Sequence, residues 1–448
     1  MATANQIPTA PYALPLLGHL IPLLRDPFGF ISSLPKYGDI VRIRIGSLSA
    51  IMVCDPELTA QVLRDDRIFD KGGPLIDRAR EVMGDGLATC PRSTHRRLRR
   101  LSQPAFHHTH MPGYAQAMKA STLHVINSWH SGQILDIPTE MMTIAGRALT
   151  TTMFSDALSI QEIDRLIHNV HTVLDGIVQR MLMIPPLDRL PTSGNRAYWH
   201  ARTSLHQALE QIITDRRISG VDYDDLLSAL LAARDHESDG QGLTDSELIN
   251  TLVTFFLAGT DTTATTLAWA LHLLAQHPQV QQRVQAEVDA VWANGPATYQ
   301  ELPRLDLTNR VITEALRLYP PGWFFTRTVT TSTRLGSYTL PAGSNVVYSP
   351  YLIHRRNDLY ENSESFDPDR LNPDRLQPPR HSLIPFAAGA RKCIGDTFAM
   401  TEATLILATI TADWELKGIP ECQVRPALGT VARPRELRMV AVTRRGLV

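Results

Sequence analysis

Near its C-terminus the chain reads Pro385-Phe386-Ala387-Ala388-Gly389-Ala390-Arg391-Lys392-Cys393-Ile394-Gly395. One cysteine follows a basic pair inside a loop opened by glycines. A thiolate needs nearby positive charge and backbone N–H groups to stay deprotonated, and Arg391, Lys392 and the Gly389–Gly395 loop supply both. Taken alone a lone cysteine is more often a buried small hydrophobe, and a thiolate ligand is the alternative that this setting offers. Cys54, Cys90 and Cys422 are far apart and show no C-x-x-C spacing, so neither a zinc site nor an iron–sulfur cluster is suggested; they read as core or surface thiols.

A second constellation lies mid-chain, where Leu252-Val253-Thr254-Phe255-Phe256-Leu257-Ala258-Gly259-Thr260-Asp261-Thr262-Thr263-Ala264 sets an acid in an apolar run. On a helix of that kind, apolar nearly all round and therefore buried, Asp261 and the threonines are expensive unless they serve something. The structural alternative is a salt-bridged acid with hydroxyls bonding back to the i−4 carbonyls. Phe255, Ala258, Gly259 and Thr262 fall on one face. Further on, Glu314 and Arg317 stand at i and i+3, which taken alone describes a surface salt bridge. The run His95-Arg96-Arg97-Leu98-Arg99-Arg100-Leu101 is a dense basic stretch on a predicted helix, a solvated face on its bland reading, with His95 and Arg99 at i and i+4.

These groups need a frame to hold them. The capping box Thr244-Asp245-Ser246-Glu247 opens a helix that runs to His277-Pro278, about 33 residues and about 50 Å. Asp39 to Gly46 and Ala50 to Cys54 alternate with period two around a Gly/Ser turn, which predicts a hairpin. A second β-rich patch spans Tyr338 to Tyr348, and nearly everything between Asp55 and Glu314 reads helical. With 448 residues, 43% hydrophobic and 20% charged, the composition is that of a soluble globule, and a net charge of -1 argues against nucleic-acid binding. No linker, charged run or repeat divides the chain, so one domain over residues 1–448 is expected. Four cysteines form no disulfide framework and no cleavable leader opens the sequence, which points to the reducing cytoplasm. The apolar stretch Leu14 to Leu24 is short and broken by proline, glycine and histidine, so no stable membrane insertion is expected.

Phe386-x-x-Gly389-x-Arg391-x-Cys393-x-Gly395 resembles the signature of the cytochrome P450 family. Ala258-Gly259-Thr260-Asp261-Thr262-Thr263 resembles the central-helix motif of that family, Glu314-x-x-Arg317 its ion-pair motif, and Phe366-Asp367-Pro368-Asp369-Arg370 the segment that completes the ion network, with Leu371 where many members carry an aromatic. The resemblance runs from about Pro15 to the C-terminus. It implies a mainly α chain with a small β-sheet part (α+β), holding haem b between the long helix and the Cys393 loop. By the same resemblance Cys393 is the axial iron ligand, with Phe386 and Gly395 lining the cofactor. Ala258 and Gly259 leave room for dioxygen, and Asp261 and Thr262 deliver protons to it. His95, at a position more often tryptophan, joins Arg99, Arg327 and Arg391 in binding the propionates, while Glu314, Arg317 and Arg370 form the structural ion network.

The remaining length has no room for a flavin or ferredoxin domain. The resemblance therefore implies a separate small acidic ferredoxin and its reductase, docking where Arg96, Arg97 and Arg100 gather near Lys392, on a chain expected to be a monomer. Phe255, Ala258, Trp323, Phe324 and Phe325, with Leu75, Ile76 and Val431, are the candidate walls of an apolar substrate pocket. The stretch Val347-Tyr348-Ser349-Pro350-Tyr351 and the general layout look similar to bacterial members that oxidise sesquiterpenes, and the preference for Arg over Lys fits a GC-rich bacterial genome. The expectation is hydroxylation of a small polycyclic terpenoid in secondary metabolism, with a polyketide or macrolactam as the alternative substrate. A non-catalytic haem-thiolate sensor is the alternative of another class.

Overall fold

The computed structural model describes residues 6–444 apart from 156–157, 183–189, 238–239, 293–296, 376, 380, 420–422 and 428. Cys422 lies outside the described residues.

Six helices carry the argument: α1 (Arg92–Ser102), α2 (Ile137–Phe154), α3 (Ile160–Leu182), α4 (Asp245–Gln276), α5 (Asp306–Leu318) and α6 (Asp396–Asp413). The start of α4 follows from its first four residues. Thr244 Oγ1 accepts from the Glu247 amide at 3.3 Å while Glu247 accepts from the Thr244 amide at 2.9 Å, so two orphan donors are satisfied reciprocally. The helix ends before Pro278, whose ring cannot continue the ladder. Its 32 residues are buried on nearly every face, which their apolar composition requires. It packs on α2, α5 and α6.

The predicted hairpin forms as β1 (Ile40–Ile45) and β2 (Leu48–Val53), antiparallel across the Gly46-Ser47 turn. Three more strands join it: β3 (Phe69–Asp70), β4 (Phe325–Val329) and β5 (Asn345–Tyr348), in the order β1-β2-β5-β4-β3. The second β-rich patch is split between two sheets. Tyr338–Leu340 pairs with Thr333–Leu335 in a local hairpin, whereas β5 runs parallel to β2. A turn at Pro341 to Ser344, with Gly343 at φ +81°, redirects the chain between them.

One hydrophobic core lies among the helices; a second surrounds the sheet and includes Phe28, Ile40, Val53, Trp323, Val346 and Tyr348. Among the described residues no helix is long and apolar enough to cross a membrane.

The sheet does one thing that bears directly on chemistry. Pairing of β3 with β4 sets Asp70 opposite Thr328, which carries Asp70 and Lys71 alongside Arg327. The close approach requires Gly72, where a Cβ would lie 2.4 Å from Thr328 Oγ1.

Candidate active site: the Cys393 loop and the central helix

The cysteine loop is closed by its own backbone. The Cys393 amide donates to the Phe386 carbonyl at 2.9 Å and the Lys392 amide to the Gly389 carbonyl at 3.1 Å. Gly389 sits at φ +69°, and a Cβ there would stand 2.2 Å from the Leu63 carbonyl oxygen, so only glycine lets the loop rest on the helix Pro56–Arg64. Gly395 is the N-cap of α6. Burial raises the Cys393 thiol and the Asp396 charge adds to that, while the Gly395 amide directed at the sulfur, Arg99 and Lys392 pull the other way, toward the thiolate. At Cys54 burial outweighs the Arg356 charge and pushes the thiol up to about 12. Cys90 is also raised by burial.

Cys393 is deep enough to be desolvated, yet its side chain is exposed. The two facts agree if the sulfur faces an internal hollow. The opposite wall shows the same combination, because Ala258 is exposed and Gly259 and Thr262 are half-buried in the middle of an otherwise buried α4. Phe106 ties the walls together, packing edge-on against Phe255 at 5.1 Å between centroids and lying 3.5 Å from where a Cβ of Gly395 would be. Thr262 Oγ1 donates to the Ala258 carbonyl at 2.6 Å, so its lone pairs remain to accept from a donor in the hollow. At Gly259 a Cβ would come within 2.8 Å of Leu149 Cδ2 on α2, which gives that glycine a packing role between the two helices.

Beside the loop lies a concentration of positive charge. Arg391 donates to the Cys90 carbonyl at 3.0 Å and to Asp70 at 2.6 Å, with Asp66 at 3.7 Å. Arg327 bonds the Thr326 carbonyl and the Tyr348 hydroxyl, and Arg99 the Lys392 carbonyl. Lys71, which the sequence reading missed, is held well below the ordinary lysine range by burial, then by Arg327 and Arg391. His95 is buried with Nδ1 unpartnered, and burial together with Arg391, Arg99 and Lys71 lowers it to about 3. Among the described residues neither Lys71, Arg99 nor Arg327 has a carboxylate within ion-pair distance. Three arginines, a lysine whose charge their field opposes and an orphaned imidazole call for an anion, and a ligand bearing two carboxylates answers both charge and hydrogen bonding. The residues thus fit a haem: Cys393 could ligate its iron and this cluster could hold its two carboxylates.

The Glu314–Arg317 pair is no surface bridge, since both side chains are fully buried. Arg317 donates twice to Glu314 at 2.8 and 2.7 Å and also to the carbonyls of His354, Ser363 and Ser365, while Arg370 completes Glu314 at 3.0 Å. His354, also missed from sequence, transmits this order to the loop. Its Nε2 accepts from the Ile384 amide at 2.8 Å, which leaves Nδ1 to donate to the Arg317 carbonyl at 3.2 Å. Ile384 lies two residues before Phe386, the partner of the Cys393 amide.

Burial, then the Arg317 charge, holds His354 down to about 3. An unfolded histidine takes up a proton below about 6.5. Stability from this group is therefore fully present above that pH and is lost as acid is added toward 3, because only the unfolded state binds the proton. Urea midpoints measured between pH 7 and 4 should fall more steeply for the parent than for His354→Gln; parallel slopes would remove His354 as a cause.

A profile of the cytochrome P450 family matches residues 8–442. The chain belongs to the cytochrome P450 family. This P450 is 44% identical over 433 residues to pentalenene oxygenase of Streptomyces avermitilis, covering 96% of each protein. It is 43% identical to cyclooctat-9-en-7-ol 5-monooxygenase of Streptomyces melanosporofaciens, over 92% of this chain and 90% of that one. Cyclooctatin synthase of the same organism is 39% identical over 98% of each. The crystal structure of the cytochrome P450DA haem domain superposes with a TM-score of 0.89 at 26% identity, covering 99% and 98% of the two chains. The expected α+β fold and family are therefore correct, and the chain is a P450 monooxygenase.

The structure places the remaining candidates of this P450 unevenly. Asp261 is 1% exposed and pairs with Arg433 at 2.7 Å, a partner that nothing in the local sequence announced. Trp323 packs between Phe28 and Phe324 and donates to the Gly429 carbonyl, so it belongs to the sheet core. Phe325 stacks on Tyr348, and Phe255 on Phe106. Ile76 and Val431 are buried and Leu75 half-buried. In the basic run only Arg96 is exposed. Arg97 is taken by Glu247 at 2.6 Å, and Arg100 by Asp235 at 2.9 Å and Glu237 at 3.2 Å. Both are half-buried and ion-paired, so Arg96 is the exposed member of the three; Lys392 is paired with Asp396.

Proposed function

We propose that this P450 hydroxylates a small polycyclic terpenoid, with Cys393 as the axial ligand of its haem b and with electrons from a separate ferredoxin and its reductase. The observation that carries the substrate class is the 39–44% identity, over most of the chain, to enzymes named for pentalenene, cyclooctat-9-en-7-ol and cyclooctatin.

Bound haem supplies the activation of dioxygen and the insertion of one oxygen atom into a C–H bond. The protein's own residues do the rest. Burial raises the Cys393 thiol, and the Gly395 amide with the positive charge of Arg99 and Lys392 works against that rise, so that the sulfur is already supported as thiolate for iron ligation. Lys71, His95, Arg99, Arg327 and Arg391 hold two carboxylates in place. Ala258 and the hydroxyl of Thr262 face the reacting space, and Asp261 returns protons to it. The candidate wall residues Phe255, Ala258, Phe324 and Phe325 carry no charge, which suits a hydrocarbon better than a fatty acid. Exposed Arg96, with exposed Arg64 beneath the Gly389 loop, offers an acidic ferredoxin a basic rim on the Cys393 side.

Spectral titration with terpene hydrocarbons and with macrocyclic polyketides tests the substrate class. High-spin shifts at low ligand concentration are expected with the terpenes, and shifts with macrocycles alone would replace the proposal. In the same preparation Thr262→Ala should keep its haem yet release several times more peroxide per NADPH oxidised. An unchanged ratio takes Thr262 out of proton delivery.

A further inference from the structure

Apolar side chains collect at the N-terminal edge of the sheet without being buried. The chain before β1 runs along the free edge of that strand, through bridges from Thr9 to Arg42 and from Gly18 to Ile45. Leu14 and Gly18 exchange both backbone bonds at 2.9 Å, and the Leu17 carbonyl accepts from the Gly46 amide at 3.1 Å, so residues 14–18 form a tight tip fixed to β1. Gly18 makes the approach possible, since at φ +62° a Cβ would lie 2.3 Å from the Arg44 carbonyl oxygen. His19 fastens the base of the tip: Nδ1 accepts from the Arg44 amide at 2.9 Å, which leaves Nε2 to donate to the Ala10 carbonyl at 2.9 Å.

What this scaffold presents to solvent is almost wholly apolar. Leu16 is 87% exposed and Tyr12 75%, both in the left-handed backbone region at φ +64° and +68°, a costly conformation for side chains that gain little packing from it. Leu14 and Leu17 are exposed as well. The helix Leu20–Arg25 follows directly, its sequence LIPLLR aliphatic at four of six positions, and it buries none of them; Ile21 and Leu24, at i and i+3, are its exposed pair. A single exposed leucine needs no explanation, whereas a contiguous apolar patch marks a contact.

The rim of the patch is basic. Arg25 ends the helix, and Arg42 and Arg44 alternate on the exposed face of β1. Among the described residues these three have no ion-pair partner, whereas Arg97, Arg283 and Arg310 elsewhere are each held by an acid. Residues 6–50 carry four bases, Arg25, Lys36, Arg42 and Arg44, against two acids, Asp26 and Asp39. A second copy of the chain suits this surface poorly, because a two-fold contact would set the arginines against their own equivalents. The apolar stretch is too short and too broken by proline to span a bilayer. An anionic lipid surface answers both features, taking apolar side chains at its headgroup boundary and cations at its phosphates.

We propose that residues 12–25, with Arg42 and Arg44, form a reversible docking surface for an anionic lipid bilayer, in which Leu16, Leu17, Ile21 and Leu24 enter the headgroup boundary. The side chains already stand out from the fold, so contact needs no rearrangement. The inference goes beyond the proposed function and is independent of the substrate class.

Flotation of the haem-loaded full chain with vesicles tests it without substrate or turnover. The parent should float with vesicles of equal parts phosphatidylglycerol and phosphatidylcholine, much less with phosphatidylcholine alone, and less again in about 0.5 M salt. Leu16→Glu, and separately Arg42→Glu/Arg44→Glu, should each lower the bound fraction at least about tenfold while the Soret band and urea midpoint stay at parent values. Leu24→Glu and Arg25→Glu, which lie outside β1, repeat both arms should the strand tolerate its changes badly. A parent that stays at the bottom of the gradient with the anionic vesicles overturns the proposal. Binding that survives both leucine variants overturns the patch, and binding indifferent to lipid charge and to the arginine variants overturns the choice of an anionic surface. A parent that ignores vesicles but sediments as a dimer that Leu16→Glu dissociates gives the surface to a second copy instead.

Discussion

Replacing Cys393 by serine should leave a folded protein whose reduced carbonyl complex has lost the red-shifted Soret band of thiolate ligation, and whose monooxygenation falls to background. The reason is chemical. Burial raises all three described thiols, Cys54 to about 12, but only Cys393 combines access to the hollow with a backbone amide directed at its sulfur and the charges of Arg99 and Lys392. Absorption spectra of the three serine variants decide the matter. A thiolate-type band that survives in Cys393→Ser and vanishes in Cys54→Ser or Cys90→Ser would end the proposal for this site.

The second large effect is on stability. Glu314→Ala leaves the Arg317 guanidinium fully buried with three carbonyls and no counter-charge, and deprives Arg370 of its carboxylate as well. Breaking one side of a buried pair costs about 3–5 kcal/mol, far more than the pair contributes relative to an apolar replacement. Urea unfolding should show that loss for Glu314→Ala. The double variant Glu314→Leu/Arg317→Met should recover a large part of it, because no charge is then stranded. Haem retention should follow the same order, since the Arg317 carbonyl, His354 and the Ile384 amide connect this network to the cysteine loop. Equal losses in the single and double variants would mean that the network acts through shape and not through charge.

What was legible in the sequence was what depends on neighbours along the chain. The capping box at Thr244, the alternation in β1 and β2, and the Glu314–Arg317 spacing are local and appear where they were expected. The Cys393 loop was legible because its glycines, basic pair and cysteine lie within eleven residues. Lys71 was not, since its place beside Arg327 comes from the pairing of β3 with β4 across more than 250 residues. Phe69-Asp70-Lys71-Gly72-Gly73 did carry a signal, a cation at the end of a short strand before two glycines. His354 and Arg433 owe their roles to partners equally remote, Ile384 and Asp261. The pairing of Arg97 and Arg100 was not legible because their acids, Asp235, Glu237 and Glu247, stand 135 or more residues further along the chain. Trp323, placed by resemblance in a pocket, is drawn into the sheet core by Phe28 and Tyr351 at its flank.

The cluster of Lys71, Arg99, Arg327 and Arg391 bears on how long the protein lasts in a cell. If these groups hold the propionates as proposed, a chain without its haem keeps Arg327 and Arg391 side by side and His95 without a partner, and this is the region expected to open more readily than the rest. Acquiring the prosthetic group removes the repulsion and lowers the open population by mass action. Proteases cleave opened segments, so chains that miss their cofactor should be the ones cleared, and the abundance of this protein should track the supply of haem.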